Sequence, residues 1–175
     1  MRVFAVVVIG PPGSGKTSVL TALHDMLADR DAGHAVIEVE AVAWAHPPPG
    51  DGQSFRHLES LCRMYEAAGC QLVVVGATAT SADYLAAVLA AVVANDYLVV
   101  RLEADPSTLR KRIIAREPAE WSGLPRLLDA ADEIALASRS LEGVHLVCST
   151  EDASPLAVAT QIRKARPEVL GGMSS

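Results

Sequence analysis

Val3-Phe4-Ala5-Val6-Val7-Val8-Ile9 runs directly into Gly10-Pro11-Pro12-Gly13-Ser14-Gly15-Lys16-Thr17, and the junction of these two segments decides the fold. The first segment is apolar and largely β-branched, the pattern of a strand covered on both faces. After the glycine-rich turn, Val19, Leu23, Met26 and Leu27 recur at helical spacing, so the chain leaves the turn as a helix. Strand, turn and helix in this order make a phosphate-binding loop of the form G-x-x-x-x-G-K-[ST]. Main-chain amides of the turn and of the first helical turn converge on one point, where the helix dipole adds positive potential, and the cradle suits a triphosphate. Gly10, Pro12, Gly13, Ser14, Gly15, Lys16, Thr17 and Ser18 are the expected contacts. Lys16 reaches the outer phosphates as a mobile charge, and the Thr17 hydroxyl stands where a bridging magnesium ion needs an oxygen.

Outward from the loop, short apolar runs alternate with helical patterns, the sequence form of βαβ units and a parallel sheet in the α/β class. Five strands are expected at Val3–Ile9, Ala35–Val42, Leu72–Val75, Tyr97–Leu102 and Val144–Cys148. The first helix runs to about Arg30 and closes near Gly33; the second starts near Ser54, carries Leu58, Leu61, Cys62 and Tyr65 on one stripe, and stops at Gly69. Thr80-Ser81-Ala82-Asp83 has the form of a capping box for the third helix. Asp105-Pro106 and Ser154-Pro155 each place proline at a first helical position, opening a helix to about Arg116 and a last helix that ends before Pro167. The irregular segments are His46 to Gln53 and Glu117 to Gly123, the latter preceding a helix around Leu127 and Leu128. Residues 1–170 are expected to form one domain, with residues 171–175 a frayed tail.

The chain has 175 residues, half of them apolar and few aromatic, which implies an aliphatic core of ordinary domain size. A formal net charge of −6 argues against a nucleic-acid binder, whose surface carries a basic stripe. Cys62, Cys70 and Cys148 are widely spaced and form no metal or disulfide pattern, as expected for a reducing compartment. The N-terminal apolar run is too short to span a membrane and ends in the phosphate loop, so a cytoplasmic protein without a membrane partner is expected. His24, His34, His57 and His145 lack metal-ligand spacing and read as structural.

Phosphoryl transfer needs a donor cradle, positive charge on the migrating group and a residue for the acceptor hydroxyl. In open parallel sheets these gather beyond the carboxyl ends of the strands. Glu38 and Glu40 close the second expected strand two residues apart, hence on one face. They read either as a site, one holding magnesium through water and the other accepting the acceptor's proton, or as solvated carboxylates on an edge strand. Trp44 and His46 follow closely as candidate pocket walls. Arg112 and Arg116, four apart, project from one helix face, suited either to donor phosphates or to a solvated helix end. Arg126 and Arg139 rank behind them.

These residues resemble the small P-loop kinases, among them the nucleoside monophosphate, shikimate, gluconate and adenylylsulfate kinases. The resemblance spans nearly the whole chain and rests on the phosphate loop, on Glu38-Val39-Glu40 where shikimate-type kinases have Asp-x-Asp, and on Arg101 to Arg116. It implies a three-layer fold with strand order 2-3-1-4-5, a mobile lid near residues 117–124, and ATP with Mg²⁺ as cofactors. By the same resemblance Arg112 lies against the nucleotide base and Arg116 meets phosphate, Thr17 and Glu38 serve the metal, and Lys16, Glu38, Glu40 and Arg116 form the catalytic set. A small-molecule acceptor and a monomer or homodimer are expected. Two departures stand out: the third strand ends Gly76-Ala77-Thr78 without an acid, and Glu replaces Asp twice. The competing reading is a nucleotide-dependent switch or sensor without an acceptor. A GTPase switch is disfavoured, since the chain has no D-x-x-G and no [NT]-K-x-D.

Overall fold

The computed structural model describes residues 2–42 and 44–170; the expected frayed tail lies outside the described residues. The strand expected before the phosphate loop is β1 (Phe4–Ile9), buried along its whole length, and the helix after it is α1 (Lys16–Ala28). There follow β2 (His34–Glu38), α2 (Val39–Val42), α3 (Asp51–Ala67), β3 (Leu72–Ala77), α4 (Ala82–Ala91) and β4 (Asp96–Glu103). The chain continues through α5 (Pro106–Arg116), α6 (Leu124–Ser138), β5 (Leu146–Ser149), α7 (Pro155–Ala165) and α8 (Pro167–Leu170). The five strands are parallel in the order β2-β3-β1-β4-β5, as the resemblance implied.

Alternate residues of β1 feed two cores, because successive strand side chains point to opposite faces. Phe4, Val6 and Val8 pack with Leu23 and Leu27 of α1 and with Val158 and Ile162 of α7. Ala5, Val7 and Ile9 pack on the other face with Leu58 of α3 and with Leu85 and Val88 of α4. Helices on both faces explain why β1 and β3 are apolar without alternation. A third, smaller cluster of Ile113, Leu128 and Ala131 joins α5 to α6.

Several boundaries depart from expectation. β2 ends at Glu38, whose register partner is Gly76, and the chain then turns into α2 instead of continuing to Val42. β3 itself stops at Ala77, so beyond Val39 a longer β2 would have had no strand to pair with; Val39 is buried from a helical turn instead. Helix α3 begins at Asp51, earlier than Ser54, because Gly50 after the proline run is already the extended N-cap; the buried Ser54 donates to the Gly50 carbonyl at 3.4 Å. The cap of α4 is Ser81, one residue beyond the expected Thr80, its hydroxyl accepting from the Tyr84 amide at 3.1 Å. Ser154 caps α7 as expected, accepting from Ala157 at 3.2 Å, and that helix ends before Pro167, which starts the short α8. No helix among the described residues is long and apolar enough to cross a membrane.

Candidate functional site

The parallel sheet delivers the ends of β1, β2, β3, β4 and β5 to one edge, and the loop from Gly10 to Gly15 emerges at its centre. Gly13 and Gly15 take φ of +80° and +88°, a backbone conformation that glycine tolerates without strain. A side chain at Gly13 would also meet the Leu109 carbonyl at 2.7 Å, so the loop is pressed against α5. The Ser14 amide turns inward to the Pro11 carbonyl at 3.2 Å. The amides of Gly15, Lys16, Thr17 and Ser18 have no acceptor among the described residues, and the Ser14 hydroxyl is fully buried without a partner. Unpaired donors around an open glycine are what a polyphosphate would satisfy.

Lys16 folds back over the loop, donating to the carbonyls of Gly10 at 2.9 Å and Pro11 at 3.3 Å. Burial lowers its pKa below the ordinary lysine value, Glu40 and then Glu38 pull it back up, and Arg116 adds to the lowering. All three expected partners therefore stand within electrostatic reach of Lys16. The two carboxylates converge by a different route from strand alternation: Glu38 is the last residue of β2, and Glu40 belongs to α2. Glu40 accepts the Thr78 amide at 2.6 Å, which fixes its carboxylate just beyond β3. A side chain on Gly76 would come within 3.7 Å of the Glu38 Cγ and 2.5 Å of the Leu20 Cδ1, so the Glu38 side chain passes close to the end of β3.

The two arginines of α5 part company. Arg112 spans from α5 to the segment after β5, donating from Nη1 to Thr150 Oγ1 at 3.0 Å and from Nη2 to the Thr150 carbonyl at 2.6 Å. It forms one wall of a cavity of about 260 Å³ whose other walls are Gly15, Ser18 and Val19 on one side and Thr150, Ala153, Pro155 and Val158 on the other. Arg116 is exposed and paired with Glu117 at 2.7 Å, at the start of the segment joining α5 to α6. In that segment the Trp121 ring lies over Gly123, where an added Cβ would meet ring carbons at 2.4 Å. Trp44 is 91% exposed and His46 is exposed, so the described residues enclose neither. Arg126 is exposed, and Arg139 lends its carbonyl to Arg101 at the end of α6.

Sequence reading missed two groupings. Thr150 and Glu151 were passed over, although they follow β5 at the productive edge of the sheet. Glu151 accepts the Asp105 amide at 2.9 Å and the Thr108 hydroxyl, and so ties the segment after β5 to the start of α5, whose N-cap Asp105 makes no side-chain cap of its own. These bonds hold the Glu151 carboxyl below the usual glutamate pKa. His24 and His34, ten residues apart, meet with Nδ1 and Nε2 at 2.8 Å beside a cavity that Thr17 and Glu38 also line. No local spacing announces either contact.

A profile of the AAA domain family matches residues 6–131. No curated protein sequence matches the chain. Among solved structures, a gluconokinase from Sinorhizobium meliloti is 24% identical with a TM-score of 0.60, over 97% of this chain and 93% of that one. The APS kinase of Mycobacterium tuberculosis, solved with AMPPNP and APS, has a TM-score of 0.66 at 16% identity, over 94% and 97%. Shikimate kinase from Acinetobacter baumannii, solved with shikimate, has a TM-score of 0.54 at 16% identity, over 95% and 94%. At these identities the likeness is one of fold, the three-layer P-loop kinase fold.

Proposed function

The chain belongs to the AAA domain family, and from that premise we propose that it is an ATP-dependent phosphotransferase that moves the γ-phosphoryl group to a small hydroxyl- or phosphate-bearing acceptor. One observation carries this reading: a loop with unpaired amides at Gly15 to Ser18 opens beside a lysine flanked by two carboxylates and an arginine. When bound, the nucleotide supplies the phosphoryl group and Mg²⁺ neutralises its charge. The amides of the loop hold the phosphates, and Lys16 leaves the Gly10 and Pro11 carbonyls to meet them. The Thr17 hydroxyl and Glu38 would hold the metal, Arg112 would take the base and Arg116 the phosphates. Glu40, steadied by the Thr78 amide, receives the acceptor's hydroxyl proton. The segment 117–124 is assigned the role of a lid that excludes water. The three cysteines are free, in keeping with a proposed cytoplasmic setting; a monomer or homodimer is proposed.

The test is titration of ATP·Mg²⁺ into the wild type and Lys16→Ala. Wild-type binding that is lost in the variant is expected; equal affinity rejects the donor site. The second reading, a switch or sensor without an acceptor, is favoured by the ending of β3, which has no acid of its own at Gly76-Ala77. A sharp rise in ATP consumption when a library of small alcohols, sugars, nucleosides and nucleotides is added separates the kinase from the switch.

A further inference from the structure

We infer that Ser14 is a positioning residue for Lys16: when the lysine turns to the phosphates, the Ser14 hydroxyl takes its place on the Gly10 carbonyl. This deepens the donor-site reading above and rests on it.

A serine hydroxyl carries one donor, which rotates to suit its surroundings. In the loop as it stands, that donor has no acceptor. Ser14 is fully buried, and its hydroxyl makes no hydrogen bond among the described residues. A buried polar group left unpaired costs the hydration it has given up, and such groups are few in folded proteins. This one lies against Gly10: a Cβ added there would stand 2.6 Å from Ser14 Oγ and 3.2 Å from Ser14 Cβ.

Gly10 is also where Lys16 is held. The Gly10 carbonyl accepts Lys16 Nζ at 2.9 Å, and no other donor among the described residues reaches it. Pro11, the second acceptor of the lysine at 3.3 Å, also accepts the Ser14 amide at 3.2 Å and so keeps a partner after the lysine leaves. Gly10 is buried and keeps none. Drawing Lys16 off the loop therefore frees one buried acceptor beside one buried donor that is already unpaired. A rotation about the Ser14 χ1 joins the two, so release of the lysine leaves no polar group of this pair unpaired. The handover lets the amine follow the phosphates instead of the backbone.

Two measurements test it. Without nucleotide, Ser14→Ala should unfold at the wild-type denaturant midpoint or above it, because the hydroxyl has no partner to lose. In a Lys16→Met background, where the Gly10 carbonyl has already lost the amine, the same substitution should lower the midpoint. An equal effect in the two backgrounds overturns the inference. So does a lower midpoint for Ser14→Ala alone, which means that the hydroxyl already serves an acceptor such as the Leu102 carbonyl, 3.0 Å from the same added Cβ. The second measurement is titration of ATP·Mg²⁺: Ser14→Ala should bind about tenfold more weakly than the wild type, as an orphaned buried carbonyl requires. Undiminished affinity in the variant overturns the inference and leaves the donor site standing. If the wild type does not bind ATP, the donor-site reading falls and this inference with it.

Discussion

Lys16 is held between opposing influences: burial disfavours its charge, while Glu40 and Glu38 sustain it. Anion binding needs the protonated amine, so affinity for ATP declines as pH rises through the Lys16 pKa. Glu40→Gln removes the larger of the two supports and lowers that pKa further. The variant is therefore expected to retain ATP binding, to lose transfer, and to lose affinity at a lower pH than the wild type; fluorescence titration across pH and a turnover assay check this. Unchanged turnover would reject Glu40 as the base. Glu151 offers a second test. Its folded pKa lies below the ordinary glutamate value, so its contribution is present above about 4.5 and is lost as pH falls through the folded value. Glu151→Gln should melt below the wild type at pH 7, and the two should converge in acid. Because the same residue ties the segment after β5 to α5, the variant should also bind ATP more weakly at pH 7. Burial pushes the Cys62 thiol up to about 11, so this residue should resist alkylation in the native protein.

At the scale of elements, caps and turns hold the site's parts in place. Ser81 satisfies the Tyr84 amide at the start of α4, and Ser81→Ala should cost about 1 kcal/mol, measured by denaturant unfolding. Gly13→Ala places a side chain at φ +80° and 2.7 Å from the Leu109 carbonyl. The backbone conformation alone costs about 1–2 kcal/mol, and the clash parts the loop from α5, so loss of ATP binding should exceed loss of stability. The correction at α2 belongs to the same scale. Glu38-Val39-Glu40-Ala41-Val42 suits a strand by composition, yet β3 offers no partner beyond Gly76 to Ala77, and the ladder ends. A hydrogen-bond ladder is a property of two segments, and one segment's pattern cannot fix its length.

For the whole molecule, α1 carries both the phosphate-binding amides and Leu23, which is 1% exposed in the core that also holds Val158 and Ile162 of α7. Leu23→Ala should destabilise by roughly 2–5 kcal/mol, seen as a lower midpoint of denaturant unfolding; a loss below 1 kcal/mol would contradict this packing. The sequence alone determined the phosphate loop, the α/β class and the parallel strands, because each is a local pattern: a glycine turn at fixed spacing and continuous apolar runs. Only the tertiary structure decided that Glu40 reaches the end of β3 from a helical turn, that Thr150 occupies Arg112, that Glu151 holds the start of α5 through an amide 46 residues away, and that His24 meets His34. Those contacts join segments whose separation along the chain bears no relation to their distance in space. They come from the order in which the strands are laid side by side, and no single stretch of sequence encodes that order.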